Sequence, residues 1–263
     1  MSTAPDRSRS SERVEIWEGI YASYQEAAAH VVGPGFDGDV WRTRSLASAQ
    51  GCLAALEAGK PIPQFHKQRS ALLPAVAAVM LASRDRLRVL DFGGGLGIGY
   101  MTLAESIPSA STRIDYTIVE VPTVCEEGRR LFSGSVRYAT ALPAGDTFDL
   151  VHAASAVQYV EDWKQLLKRL GGCGAEFMLL SDVFAGAIPT FVSLQNYYES
   201  RIRHWFFNLE ELLDACSRAG YSLVMKTFAP SRRLGVEDAV PMDRFPDSHR
   251  LEQSLHLLLH RDS

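Results

Sequence analysis

Residues 88–99 read Arg-Val-Leu-Asp-Phe-Gly-Gly-Gly-Leu-Gly-Ile-Gly, and the fold is decided here. An apolar pair, Val89 and Leu90, runs into an acid, Asp91. Gly93, Gly94, Gly95 and Gly97 crowd the positions that follow. Ile98, Met101 and Leu103 then recur as on a helix, and Pro108 is a stop signal. This is a strand, a tight turn and a helix. Glycine lets the main chain turn sharply and lets a ligand approach it closely. In open α/β sheets, ligands bind at the carboxyl ends of the strands.

Downstream, Tyr116-Thr117-Ile118-Val119-Glu120 is a β-branched and aromatic run that also ends in an acid. Pro122 opens a helix over 122–132, where its missing N–H costs nothing. A carboxylate at the tip of a second strand can accept hydrogen bonds from ribose hydroxyls. The spacing Asp-x-Gly-x-Gly-x-Gly, from Asp91 to Gly97, is not the dinucleotide fingerprint Gly-x-Gly-x-x-Gly. Nor is it a P-loop, because Ile98 stands where Lys would follow. It resembles motif I of class I S-adenosylmethionine-dependent methyltransferases. The resemblance implies S-adenosylmethionine as cofactor. Gly93, Gly94, Gly95 and Gly97 would admit it, Asp91 would sit near its methionine part or the turn amides, and Glu120, with Val121 beside it, would hold the ribose.

At 263 residues the chain suffices for one large domain with an extension. A hydrophobic content of 46% is that of a globular protein with a real core. The net charge of −4 and the lack of a basic block argue against nucleic acid as partner. No apolar run approaches the ~20 residues that span a bilayer, so no membrane partner is expected. Met1 to Arg13 is polar, lacks the apolar centre of a signal peptide, and reads as disordered at its start. Cys52, Cys125, Cys173 and Cys216 are isolated, which suits buried thiols in a reducing, cytoplasmic setting rather than a metal site or disulfides. No metal constellation is expected, and a homodimer is left open.

Trp17, Tyr21, Tyr24, Ala28 and Val31 follow a helical stripe, predicting an amphipathic helix over 12–31. It either packs on the main domain or serves as a lid. Residues 33–38 read as a loop, and 43–58 and 66–82 as helices. Strands are expected at about 88–92, 114–120, 135–139, 148–154, 175–182, 221–228 and 251–260. Helices are expected at about 97–107, 122–132, 161–170 and 209–219. Asn208 and Glu211 make a capping box for the last of these, and Gly220 ends it. Alternation of strand and helix argues a mostly parallel sheet. The final two strands lack a capped helix between them and read as an antiparallel closure. The long 229–250 connection, with Pro230, Pro241 and Pro246, has the length of a functional or mobile loop. The expected fold is therefore α/β: a Rossmann-like, seven-stranded, mostly parallel sheet with an antiparallel last strand and an N-terminal helical extension. The extension would cover 1–84 and the cofactor-binding core 85–263.

The strand Phe148-Asp149-Leu150-Val151 ends at Ala154 and Ser155, which would line the cleft floor. Gln158 and Tyr159 follow. The position resembles methyltransferase motif IV but lacks its Asn/Asp-Pro-Pro-Tyr/Phe tetrad, which disfavours methylation of DNA adenine or protein glutamine. His152, within that strand, reads as a buried, hydrogen-bonded residue rather than a base. Residues 189–208 set Gln195, Tyr197 and His204 among aromatics that include Trp205, a composition suited to a small-molecule pocket. His204 and Tyr159 are the catalytic candidates. Gln158, Gln195, Tyr197, Trp205 and Arg69 are the substrate candidates, and Arg69 could instead meet the cofactor carboxylate. Within a strand, His256 and His260 would share a solvated face with Glu252 and Ser254.

Trp17-Glu18-Gly19-Ile20-Tyr21, Asp91-Phe92-Gly93-Gly94, Val119-Glu120, Ser155-x-x-Gln158-Tyr159, Gln195 and Trp205-x-Phe207-Asn208 together resemble a bacterial methyltransferase family found near surface-polysaccharide and specialised-metabolite genes. The resemblance implies methyl transfer from S-adenosylmethionine to an oxygen or nitrogen of a small molecule, a sugar or specialised metabolite. The alternatives are a non-catalytic S-adenosyl-binding protein and, further off, a nicotinamide-dependent oxidoreductase. Many relatives of the class carry an acid after the third strand to bind adenine; here the stretch is Tyr138-Ala139-Thr140-Ala141-Leu142-Pro143.

Overall fold

The computed structural model describes residues 15–229, 232–233, 236–237 and 240–262. In chain order, β1 (Trp17–Tyr21), α1 (Tyr24–Ala28), α2 (Asp39–Glu57), α3 (Gln64–Lys67) and α4 (Leu73–Leu81) precede the first central strand, β2 (Leu87–Phe92). Next come α5 (Ile98–Ser106), α6 (Ala110–Arg113), β3 (Ile114–Val119), α7 (Pro122–Phe132), β4 (Arg137–Ala139), β5 (Leu150–Ala154), α8 (Trp163–Gly171) and β6 (Phe177–Val183). The last part holds β7 (Ala185–Gly186), β8 (Phe191–Tyr197), β9 (Ser200–Asn208), α9 (Leu209–Arg218), β10 (Tyr221–Phe228), the short ribbon β11 (Arg232–Arg233) and β12 (Val236–Glu237), and β13 (Leu255–Arg261).

Seven of these strands form one sheet in the order β10-β13-β6-β5-β2-β3-β4. β2 to β6 pair in parallel, and β13 is antiparallel to both β6 and β10. The central strands β2, β3, β5 and β6 are largely buried on both faces, as a parallel sheet sandwiched by helices requires, whereas the edge strand β10 is mostly exposed. One face holds Leu90, Val151 and Leu180 with Trp163 and Leu167 of α8. The other holds Val89, Tyr116, Ile118 and Leu179 with Leu73 of α4 and Met101 of α5. Local chemistry fixes the helix starts: Pro122 opens α7, Asp162 caps the amide of Gln165 at 3.0 Å, and Asn208 caps that of Glu211 at 3.0 Å.

Over 15–31 the chain departs from the predicted helix. Trp17–Tyr21 is a strand, followed by the one-turn helix α1; residues 12–14 of that prediction, and the reading of Met1 to Arg13, lie outside the described residues. Trp17 is a register partner of Gln195 on β8, so this backbone finds its hydrogen bonds far along the sequence. The aromatic stripe is still partly used, since Trp17 and Tyr24 are buried. Residues 189–208, for which the sequence suggested only a pocket, form the β8–β9 hairpin. Together β1, β8, β9 and β7 make a second, four-stranded sheet. A third apolar cluster, including Trp17, Phe184, Phe191 and Phe206, packs on it. Val240, Met242 and Phe245 of the 229–250 connection join that cluster, so these residues pack rather than standing free.

The predicted helix over 66–82 is broken into α3 and α4 by a tight turn over Gln68–Ser70, with Pro74 in the first turn of α4. His256 and Ser254 are fully buried rather than solvated. β13 is an interior strand of the sheet, and its first three residues, Leu255, His256 and Leu257, are buried whichever face they point to. All four cysteines are free and buried. No described helix is long and apolar enough to cross a membrane.

Candidate active site

The glycine turn leaves the carboxyl end of β2 between the ends of β3 and β5. Gly93, Gly95 and Gly97 take positive φ values of 68°, 56° and 80°, a region costly for other residues. Two of the turn's glycines show what the absent side chains allow. A Cβ on Gly94 would collide with the carboxylate of Asp91, so this glycine lets the turn lie directly on the acid. A Cβ on Gly95 would meet no atom within 4 Å and would project into open space.

Asp91 lies beneath the turn and is buried. Its Oδ2 accepts the Tyr116 hydroxyl at 2.7 Å, and its Oδ1 is 2.9 Å from His152 Nδ1. Burial, and then the Asp91 charge, push the Tyr116 phenol well above its ordinary pKa, which keeps it protonated as a donor. His152 is thus the buried, hydrogen-bonded residue expected from the sequence.

Glu120 closes the other side. Its Oε1 accepts the amide of Gly95 at 3.1 Å, and its Oε2 accepts that of Val121 at 2.9 Å. Burial raises the pKa of this carboxyl, partly countered by those two amides. Val121 is exposed at the cleft edge. Two accepted bonds leave further lone pairs on the carboxylate for ligand hydroxyls. The residues present therefore fit a nucleoside ligand: main chain open at Gly95, an acceptor carboxylate at the next strand tip, and Ala154 and Ser155 at the end of β5.

Beyond Ser155 the cleft becomes aromatic. The Tyr159 hydroxyl donates to Gln195 Oε1 at 2.8 Å, and Trp41 Nε1 donates to the Tyr197 hydroxyl at 2.7 Å. The Phe36 ring lies edge-on to Trp41, Tyr159 and Tyr197, with centroid separations of 5.5, 5.0 and 5.6 Å. Asp37 accepts the Thr123 hydroxyl at 3.3 Å, and Arg42 is 3.4 Å from Glu127. Residues 36–42 thereby reach from α7, beside Glu120, to the β8–β9 hairpin.

Strand alternation sorts the candidates of that hairpin. Ser193, Gln195, Ile202, His204 and Phe206 share one face through the pairs Ser193–His204 and Gln195–Ile202. Tyr159 packs on this face, with its ring centroid 5.2 Å from that of His204. His204 is completely buried, and Phe184 and Trp17 also border its ring. Trp205 points to the opposite face and stacks on Tyr24. It belongs to the main core, away from the other acceptor candidates. Gln158 is fully buried, and its Nε2 donates to the carbonyl of Asp182 at 3.0 Å. The structure thus gathers Tyr159, Gln195, Tyr197 and His204, sends Trp205 elsewhere, and uses Gln158 to support a strand end.

Asp182, which the sequence reading passed over, follows β6 residues Phe177–Ser181 much as Asp91 follows Val89 and Leu90. The Ser155 hydroxyl donates to its Oδ2, the Ser254 hydroxyl donates to its Oδ1 at 2.5 Å, and Arg69 Nε lies 3.5 Å from Oδ2. An acid ending an apolar run was a readable signal. Phe36 and Trp41, by contrast, sit at a loop and a helix start with no such mark.

Residues 65–226 match a family described as a methyltransferase domain. The match covers more than half of the chain, and the protein belongs to this family. No curated protein matches it in sequence. Among solved structures it is similar to the 1,6-didemethyltoxoflavin-N1-methyltransferase of Burkholderia thailandensis, solved with 1,6-didemethyltoxoflavin and S-adenosylhomocysteine bound. That likeness has a TM-score of 0.52 at 14% identity, over 88% of this chain and 94% of the other. It is also similar to an S-adenosylmethionine-dependent methyltransferase of Clostridium acetobutylicum, with a TM-score of 0.50 at 12% identity over 75% and 92% of the two chains. A third is the magnesium protoporphyrin IX methyltransferase of Synechocystis with S-adenosylmethionine bound: 0.50, 15%, and 75% and 80%. These likenesses establish a shared fold.

Proposed function

We propose that the protein transfers a methyl group from S-adenosylmethionine to an oxygen or nitrogen of a small molecule, a sugar or specialised metabolite. The observation that carries the reading is the pairing of Glu120 with the Gly95 amide across an open glycine turn. Family membership supports the reaction class. The toxoflavin-precursor and porphyrin substrates in the names of two structural neighbours support the size of the acceptor.

Bound S-adenosylmethionine supplies an electrophilic methyl on a sulfonium, so the protein's task is placement. Glu120 would accept the ribose hydroxyls, the turn from Gly93 to Gly97 would receive the methionine part, and Ala154 and Ser155 would line the floor. Asp91 supports the turn from below through its bonds to Tyr116 and His152. Holding a nucleophile in line can remove roughly 7–11 kcal/mol of barrier in favourable cases. Tyr159 and Tyr197 face the acceptor, and their hydroxyls are oriented by Gln195 and Trp41. The bond to Gln195 fixes the Tyr159 hydroxyl in place beside the acceptor. His204 braces the Tyr159 ring from behind and is a positioning residue. Within residues 1–84, the segment around Phe36 and Trp41 is the lid on the 85–263 core, excluding water from the transfer. Incubation with S-adenosylmethionine bearing a labelled methyl and a panel of hydroxylated and amino small molecules tests this. The expected product is one CH₂ heavier and carries the label. Cofactor binding with no turnover across such a panel would favour a non-catalytic binding protein.

A further inference from the structure

Arg69 sits on the acceptor side of the cleft, in the short turn between α3 and α4. Its side chain is 65% accessible. Surrounding protein nevertheless disfavours its charge, and Asp182, helped by Tyr159, Tyr197 and Tyr198, more than offsets this.

Asp182 is held firmly. It receives hydroxyl hydrogens from Ser155 and Ser254, which come from two other strand ends. Asp182 and Ser155 both adopt left-handed backbone, with φ of 52° and 50°. Such strain in residues other than glycine persists where the surroundings over-determine it, and it clusters at functional sites. The contact with Asp182 is made through Nε of Arg69. An arginine held at Nε presents its terminal nitrogens as a planar fork, which matches a carboxylate with two parallel hydrogen bonds. A second cation, Arg44, lies over the ring of Tyr198 at 5.2 Å. Tyr159 and Tyr197 are near enough to act on the Arg69 charge, and the Phe36 ring lies edge-on to both.

We propose that Arg69 determines acceptor specificity by binding a carboxylate carried on a ring, the ring lying among Phe36, Tyr159 and Tyr197, with Asp182 as the residue that positions the fork. This rests on the acceptor being a small molecule bound at this cleft. The same fork chemistry could meet the carboxylate of the cofactor's methionine. The neighbours of Arg69 favour the acceptor, because they belong to β6, the β8–β9 hairpin and the turn bearing Tyr159 rather than to the glycine turn.

The full chain is titrated with benzoate and with its neutral isostere benzamide, following heat or intrinsic tryptophan fluorescence, with and without saturating S-adenosylhomocysteine. Benzoate is expected to bind at least tenfold tighter than benzamide. Arg69→Gln should erase that preference and leave the dissociation constant for S-adenosylhomocysteine within twofold. Asp182→Asn should reduce the preference several-fold. Should that variant unfold, Arg69→Gln, at an accessible side chain, still decides. Equal affinity for the two ligands, no saturable binding of either, or a benzoate preference that survives in Arg69→Gln overturns the proposal. So does a tenfold loss of S-adenosylhomocysteine affinity in Arg69→Gln, which would assign the fork to the cofactor. Failure of the wild type to bind S-adenosylhomocysteine would overturn the methyl-transfer reading instead, while the titrations without it still judge the carboxylate site.

Discussion

The carboxylate of Glu120 accepts the amide hydrogen of Gly95 at 3.1 Å, tying the tip of β3 to the turn that follows β2. The bond joins the two elements that, on the proposed function, a nucleoside would touch at once. It also costs something, since burial raises the pKa of this carboxyl despite two amide donors.

Replacing Glu120 by Gln separates stability from binding. An acid whose pKa is raised by folding takes up a proton on folding in the window between its ordinary and its raised values. Its stabilising contribution is complete below the ordinary carboxylate range and is lost as pH rises through the raised folded value. Above the raised folded value that contribution is absent, and a neutral amide is spared the loss. Glu120→Gln should melt no lower than the wild type at pH 7, and the variant's advantage should shrink as the pH falls below the carboxylate range. Cofactor affinity should drop by about 1–3 kcal/mol with the loss of charge-assisted bonds. Thermal melts across pH and calorimetry check both. A destabilised variant with unchanged affinity would contradict the assignment.

Gly95→Val should abolish cofactor binding with a modest effect on folding. The residue has φ of 56°, where a β-branched side chain is strained, and its side chain would enter open space. The strain should cost about 1–3 kcal/mol of stability. A folded variant with normal affinity for S-adenosylhomocysteine would place the ligand elsewhere.

The buried Asp91, Tyr116 and His152 act as one unit. His152→Leu removes one donor and leaves Asp91 relying on Tyr116. The expected loss of stability is about 1–3 kcal/mol, the cost of an unsatisfied buried acceptor. Denaturant unfolding of the variant and of Tyr116→Phe should show losses of similar size. A double variant should depart from additivity, because both donors share one carboxylate.

The roles of His204 and Tyr159 can be told apart once an acceptor is known. Tyr159→Phe should lower kcat through the lost hydroxyl while leaving the fold intact. His204→Phe keeps an aromatic ring behind Tyr159 and should leave the pH dependence of kcat unchanged. A pH–rate limb that disappears in His204→Phe would make the histidine the proton acceptor itself.

Where the physics is local, the sequence displayed the structure. The glycine turn, Pro122 at the start of α7 and the Asn208 cap of α9 each fix their element through neighbours a few residues away. β1 was hidden because Trp17, Tyr21 and Tyr24 have helical spacing, while the partner that makes them extended, β8, lies far along the chain. Trp205 and His204 looked like one aromatic wall, but adjacent residues of a strand face opposite ways. His256 read as solvated since alternation identifies a face without saying what covers it. The strand is interior, and burial lowers the pKa of this histidine despite the nearby Asp182 charge. Asp182 was legible as an acid closing an apolar strand, but its bonds to Ser155 and Ser254 require three strand ends brought together.

The most direct test of the account is calorimetric titration of the wild type and Gly95→Val with S-adenosylhomocysteine and with a nicotinamide dinucleotide. The account predicts saturable, one-to-one binding of S-adenosylhomocysteine by the wild type, its loss in Gly95→Val, and no binding of the dinucleotide. Tight dinucleotide binding by the wild type, with no heat from S-adenosylhomocysteine, would contradict it.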